Sequence, residues 1–83
     1  MDRYQVLLSD SAGWWIDALG FMDYLAYIEL REALRQDPTP NNPDVQDLGE
    51  DAFGLQHRGV LGVYEFIDPS TILVLHVMRT FGP

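Results

Sequence analysis

The 83-residue sequence contains neither cysteine nor lysine. The absence of cysteine excludes disulfide bonds, thiolate catalysis and sulfur-ligated metal sites, so packing alone must hold the fold. Five arginines oppose thirteen acidic residues and leave a formal charge of −8. Such a balance repels phosphate backbones and attracts basic partners, although it also keeps a small protein soluble. We do not expect direct nucleic-acid binding, because each phosphate contact needs a cation.

Long apolar stretches are also absent. No apolar run approaches the roughly 20 residues of a membrane helix. The residues after Met1 alternate in polarity and do not form the apolar region of a signal peptide. We therefore expect a cytoplasmic protein that does not enter the membrane. Residues 1–83 are expected to form a single domain, since two halves of so short a chain could not each bury a core.

The last third of the chain predicts an antiparallel meander. Ala52–His57, Val60–Ile67 and Thr71–Met78 are rich in β-branched, aromatic and aliphatic residues. Arg58-Gly59 separates the first two stretches and Asp68–Ser70 separates the last two, and both connections have turn composition. We predict two consecutive hairpins.

The first half of the chain predicts one strand and two helices. Tyr4–Leu8 is apolar on both faces, which favours a strand inside the sheet. Ser9–Ser11 can cap a helix that runs through Leu19, and Gly20 is a candidate stop. Phe21–Gln36 follows with helical periodicity. The order βααβββ predicts an α+β fold in which two N-terminal helices pack on a small antiparallel sheet.

The second predicted helix carries a second apolar strip beside the stripe expected to face the sheet. Phe21, Leu25 and Ile28 form this strip. One interpretation is that it packs on the preceding helix with Trp14 and Trp15, as in a helical hairpin. The other is that it binds a partner.

An acidic segment follows the second helix. Asp37–Pro43 ends the helix with three prolines and two asparagines. No basic residue lies between Gln36 and Gln56. We expect residues 37–51 to form a loop that is either solvated or a contact surface for a basic partner. The candidate partner-binding acids are Asp44, Asp47, Glu50 and Asp51.

Candidates for chemistry are few and weak. His57, His76 and Glu65 are the titratable side chains on the predicted strands, and histidine with glutamate can serve as acid and base. The catalytic candidates are His57, Glu65, Arg58 and Arg79. The two histidines lack metal-ligand spacing, and no glycine-rich phosphate loop is present. We predict no metal site and no cofactor.

Three stretches resemble a known family in their order and spacing. They are Tyr4–Ala12, Leu30–Pro38 and Gly59–Val77, the last containing Gly-Val-Leu-Gly-Val-Tyr-Glu-Phe-Ile-Asp. They resemble the opening strand and helix start, the helix end and the central strands of the RelE/ParE superfamily, the toxins of bacterial toxin–antitoxin pairs. The resemblance covers nearly the whole chain. It implies the βααβββ fold and an antitoxin partner.

The chain departs from this family where RNA-cleaving members are basic. The arginine of the family's central strand falls at Leu61, and the arginine one strand earlier falls at Gln56. Asp47–Asp51 replaces a basic segment with one of opposite sign. Arg79 matches the basic residue common after the last strand, and Arg58 is the other cation near the sheet. Leucine and a neutral amide cannot stabilise developing phosphate charge.

Three functional hypotheses follow. The first is a toxin-like protein that acts mainly by protein–protein binding, with weak or absent ribonuclease activity. Its partners would be an antitoxin and a target such as gyrase, as in the ParE branch. The second is an acidic nucleic-acid mimic of the anti-defence type, such as an anti-CRISPR, which binds a basic nucleic-acid-binding protein. The third is a divergent, metal-independent mRNA endoribonuclease. The sequence leaves open whether the chain forms a homodimer.

Overall fold

A computed structural model describes residues 4–80, which form two helices and one five-stranded sheet. In chain order the elements are β1 (Gln5–Leu8), α1 (Asp10–Asp17), α2 (Phe21–Gln36), β2 (Val45–Gly49), β3 (Ala52–His57), β4 (Val60–Asp68) and β5 (Thr71–Arg79). The strand order is β1-β5-β4-β3-β2. The predicted α+β architecture and the meander from β3 to β5 are confirmed.

Three details of the sheet differ from the prediction. An additional strand, β2, lies within the segment expected to be a loop and pairs antiparallel with β3. The sheet is mixed, because β1 pairs parallel with β5. β1 is an edge strand and not an interior one. Its apolar composition on both faces was misleading because Leu7 and Leu8 remain partly exposed.

The turn between β3 and β4 is as tight as its sequence suggests. Arg58 has a φ of 51° and Gly59 a φ of 84°. Positive φ at both central residues matches the right-handed twist of the strands that the turn joins. The two-residue connection sets the register in which Gln56 lies opposite Leu61.

Helix α1 begins at a side-chain cap that also ties it to the sheet. The Ser9 hydroxyl oxygen accepts a hydrogen bond from the Ala12 amide at 3.0 Å and donates one to the Leu75 carbonyl at 3.2 Å. The Ser9 amide bonds the Val74 carbonyl at 2.9 Å. Because β1 ends at its pairing with Val74, α1 covers the part of β5 beyond it. Gly20 was expected to stop this helix; it is instead the N-cap of α2, with an ordinary φ of −68°.

Helix α2 packs on one face of the sheet as its main apolar stripe predicts. Ala26, Tyr27, Leu30 and Leu34 are buried against the strands. Gly62 leaves room for this contact, since a Cβ there would lie 3.3 Å from Leu30 Cδ2. The buried apolar side chains of the sheet are Leu55, Val60, Tyr64, Ile72, Val74 and Val77.

One buried polar group orders the segment after α2. The Tyr64 hydroxyl donates a hydrogen bond of 2.7 Å to the carbonyl of Pro38, and both residues are fully buried. Burial, followed by the negative charge of Asp37, raises the pKa of Tyr64. The phenol therefore stays protonated and donating, and it fixes the start of the segment that leads to β2. Within residues 4–80, no helix has the length and apolar character required to cross a membrane.

Candidate functional site

Within residues 4–80, neither helix covers the face of the sheet opposite α2, and α1 reaches only its rim, where Trp15 packs against His76. Gly62 and Tyr64 face α2, and side chains alternate along this part of β4, so Leu61, Val63 and Glu65 point the other way. We call this surface the open face. It consists of Leu7, Leu48, Gln56, Leu61, Val63, Glu65, Leu73, His76 and Met78.

The two positions where the family pattern places arginine lie opposite each other on this face, at its end nearest the turn between β3 and β4. Gln56 and Leu61 are cross-strand partners, and Leu61 also pairs with Met78. The Gln56 amide donates to the Thr80 hydroxyl at 3.0 Å. Among the residues that the structure describes, no arginine lies on the open face. The Gln56–Leu61 pair is therefore neutral, and Met78 beside it is apolar.

The catalytic candidates do not assemble into one site. His57 and Arg58 both contact Glu29 of α2, with His57 Nε2 at 2.7 Å and Arg58 Nη1 at 3.2 Å from the carboxylate. Arg79 pairs with Asp23 of α2 at 2.9 Å. These three side chains lie on the helix side of the sheet. Glu65, by contrast, lies on the open face, opposite Ala52 and Leu73.

Glu29 is the carboxylate that both His57 and Arg58 contact. Its hydrogen bond with His57, and then that with Arg58, holds the pKa of the Glu29 carboxyl below its ordinary value. The group fastens α2 to the turn between β3 and β4. Sequence reasoning did not single out Glu29, because its partners are 28 and 29 residues away.

His76 is the other histidine and occupies the rim of the open face. Its ring packs edge-on against Trp15 of α1, with centroids 5.7 Å apart. Trp15 in turn packs edge-on against Trp14 at 5.1 Å. This geometry is that of a packed histidine. No group of three or more potential metal ligands occurs within residues 4–80.

The acidic candidates lie together at the β2 edge. Asp47 is on β2, Asp44 precedes it, and Glu50 and Asp51 form the turn to β3. All four are exposed, and no arginine in the described chain forms an ion pair with them. The Asp47 carboxylate accepts a hydrogen bond from the Gly49 amide at 2.9 Å. Part of the acidic run therefore shapes a hairpin, where Glu50 and Asp51 have positive φ.

The second apolar strip of α2 is uncovered. Phe21 is 75% exposed, Ile28 46% and Leu25 37%, and Met22 beside them is 64% exposed. The helical-hairpin interpretation is wrong, because α1 packs along β5 instead of covering α2, and Trp14 is itself exposed. We call Phe21, Met22, Leu25 and Ile28 the helix strip.

A groove adjoins the start of the helix strip. It has a volume of about 320 Å³ and lies between α1, α2 and the end of β5. The Asp23–Arg79 ion pair forms part of its wall. Three elements build it, so sequence patterns gave no indication of it. The lining residues of this α1–α2 groove are Trp15, Ala18, Leu19, Gly20, Asp23, Val77, Met78 and Arg79.

Two solved structures are similar to the chain over almost its whole length. One is the toxin–antitoxin complex RelBE2 from Mycobacterium tuberculosis, with a TM-score of 0.79, 18% identity, and coverage of 93% of this chain and 98% of that one. The chain has a RelE-like toxin fold. The other is the archaeal RelE–RelB complex from Pyrococcus horikoshii, with a TM-score of 0.63, 19% identity, and coverage of 95% and 96%. No family model and no curated protein sequence matches this chain.

On this RelE-like sheet, the positions where the family pattern has arginines hold Gln56 and Leu61, the open-face pair next to the turn between β3 and β4. The chain's own strand-end cations, Arg58 and Arg79, are bound to α2 instead. What the open face offers is an apolar surface with a carboxylate, a histidine and an amide around it.

Proposed function

We propose that this chain is the toxin component of a toxin–antitoxin pair and that it acts through protein–protein binding, with RNA cleavage weak or absent. The two similar structures described above are toxin–antitoxin complexes, and the likeness extends over more than nine-tenths of the chain. The observation that carries the second half of the proposal is the neutral Gln56–Leu61 pair on the open face, at the positions where the family pattern has arginines.

The chemistry of RNA cleavage explains why this pair matters. A site that holds a phosphate and stabilises the charge developing on it needs fixed donors or cations aimed at that position. Leucine donates nothing and glutamine carries no charge. Arg58 and Arg79 could supply charge only by leaving Glu29 and Asp23, and they start from the opposite side of the sheet.

The open face is the surface that we assign to the protein partner. Leu7, Leu48 and Met78 are its exposed apolar residues, and Leu61 and Leu73 are half-buried. Exposed apolar surface of this kind is typical of protein contacts. An antitoxin segment with an apolar side would bury these residues. The second partner would be the cellular target, for which a gyrase-like protein is the model.

The test combines growth, RNA and binding. Expression of the chain should arrest growth, co-expression of the antitoxin encoded beside it should restore growth, and mRNA ends mapped during arrest should show no new cleavage sites. The paired substitutions Leu61→Gln and Leu73→Gln should abolish antitoxin capture. Ile28→Gln, which changes an exposed apolar residue on α2, is the matched control and should not.

Two results would contradict the proposal. New mRNA ends that appear with the purified chain in a translation reaction would make it a nuclease. Growth that continues unaffected, with no antitoxin recovered, would remove the toxin assignment altogether.

A second candidate function rests on the β2 edge, where four exposed carboxylates have no arginine partner in the described residues. An acidic mimic would use them to occupy a basic nucleic-acid groove. The same capture experiment separates the two candidates. An apolar antitoxin contact should survive a rising salt series, whereas a complex held by Asp44, Asp47, Glu50 and Asp51 should dissociate early, because salt screens exposed charges.

A further inference from the structure

Exposed apolar residues and an apolar groove lie side by side at the α1–α2 junction. Phe21 and Met22, 75% and 64% exposed, directly follow Gly20, which lines the α1–α2 groove. At about 320 Å³, the groove reaches the lower end of the size at which pockets hold organic ligands, roughly 300 Å³. One copy of the chain therefore presents both a projecting aromatic side chain and a groove that can receive one.

We propose that two copies of the chain associate about a two-fold axis beside Met22, with Phe21 of each copy entering the α1–α2 groove of the other. A two-fold interface is isologous, so a surface with projection and cavity next to each other is matched by its own copy. With the axis beside Met22, the two most exposed residues of the helix strip, Phe21 and Met22, become buried in both copies. This inference is independent of the proposed function.

The charges around the helix strip favour a second copy over a charged partner. Asp23 and Glu29, the acids closest to the strip in sequence, are already paired with Arg79 and Arg58. A basic helix placed here would compete with those arginines and find no unpaired acid at these positions. An apolar contact between two identical surfaces requires neither ion pair to break.

The net charge predicts how the affinity of such a dimer depends on salt. Each copy carries −8, so two copies repel at low ionic strength. Raising the salt from about 0.01 M to about 1 M shortens the Debye length from about 30 Å to about 3 Å and removes most of this repulsion. The dimer should therefore strengthen with salt, the reverse of a contact held by opposite charges.

Sedimentation velocity over a concentration series at low and high salt tests the proposal. The full chain should show a monomer–dimer equilibrium that shifts toward dimer at high salt. The double substitution Phe21→Gln with Met22→Gln should weaken dimerisation by about 30-fold or more, the effect of removing central anchors. Leu48→Gln, at an apolar residue 46% exposed on the open face, should leave it unchanged. Circular dichroism confirms that each variant is folded.

A single introduced cysteine gives an independent measurement, since the chain has none of its own. Two helices about 10 Å apart, each with a Cα radius near 2.3 Å, bring Cα atoms at the axis to about 5 Å, within disulfide range. Met22→Cys should form a crosslinked dimer on oxidation, and Leu48→Cys should not. A chain that stays monomeric at every concentration and salt, a dimer that tolerates the double substitution, or equal crosslinking of both variants would overturn the proposal.

Discussion

The two faces of the sheet are built from the same strands but differ in how far their apolar side chains are buried. On the helix side, which α2 covers with Leu30, the side chains of Val60, Tyr64 and Val77 are fully buried. On the open face, their neighbours Leu61 and Met78 have similar apolar character but remain in partial contact with water. Apolar side chains contribute about 25 cal/mol per Å² only when their surface leaves water. Burial on the helix side therefore stabilises the folded chain without a partner. The apolar side chains of the open face contribute a comparable free energy only when a partner covers them.

The charges divide in the same way. The cations at the strand ends, Arg58 and Arg79, are directed to the helix side, where each meets a carboxylate of α2. The open face keeps Glu65 and the neutral Gln56–Leu61 pair. On this fold, ion pairs join α2 to the sheet, whereas the open face carries mainly apolar side chains.

The largest expected effect tests the stability side of this comparison. Leu30→Ala removes a side chain with no exposed surface and leaves a cavity between α2 and Gly62, so it should cost about 2–5 kcal/mol. Leu61→Ala, the matched change on the open face, should cost less than about 1 kcal/mol. Urea unfolding measures both, with unchanged slopes as the check that the transition is comparable. Equal losses would show that the open face is covered within the chain itself.

The next effect concerns binding. Gln56→Arg with Leu61→Arg puts two neighbouring cations on the open face and should create RNA binding whose log K falls with log salt at a slope of about −1.4, from about −0.7 per phosphate contact. Met22→Arg with Ile28→Arg adds the same charge on α2 and should bind less tightly. Fluorescence anisotropy with a single-stranded RNA measures the difference. If both pairs bind equally, net charge alone matters and the open face has no special geometry for phosphate.

The smallest expected effect is on the pH dependence of stability. The pKa of Glu29 is lowered by its bonds with His57 and Arg58. Such a carboxylate stabilises the folded state above its unfolded pKa of about 4.3, and this contribution is lost as the pH falls through the lower folded pKa. The Tm of Glu29→Gln should lie below that of the unchanged chain near neutral pH, and the gap should close in acid. Glu65→Gln, on the open face, is the control. A Tm difference between Glu29→Gln and the unchanged chain that widens in acid would contradict this role of Glu29.

Local patterns predicted a large part of the fold. The meander followed from period-two apolar stretches around two turns, and the buried stripe of α2 followed from helical spacing. β2 could not be predicted in the same way, because Val45 is its only half-buried residue and the rest of the strand is exposed. Its strand conformation comes from pairing with β3, a contact between segments that the sequence does not mark.

The candidate site was predictable only in part. The neutral character of Gln56 and Leu61 was evident from sequence, but their position opposite each other depended on the two-residue turn that sets the register. The pairing of His57 and Arg58 with Glu29 joins α2 to a turn almost thirty residues later. The α1–α2 groove required α1 to lie along β5, and no periodicity encodes that choice.

The sequence by itself determined the chemical limits of this protein: no thiol chemistry, few cations, an acidic surface and apolar spacing for two helices and a meander. These properties are local or additive, so composition and periodicity reveal them. The tertiary structure alone decided which face α2 covers, which carboxylates take the arginines, and which apolar residues stay in water. Those outcomes depend on contacts between distant segments, whose energies are settled only when the layers pack together.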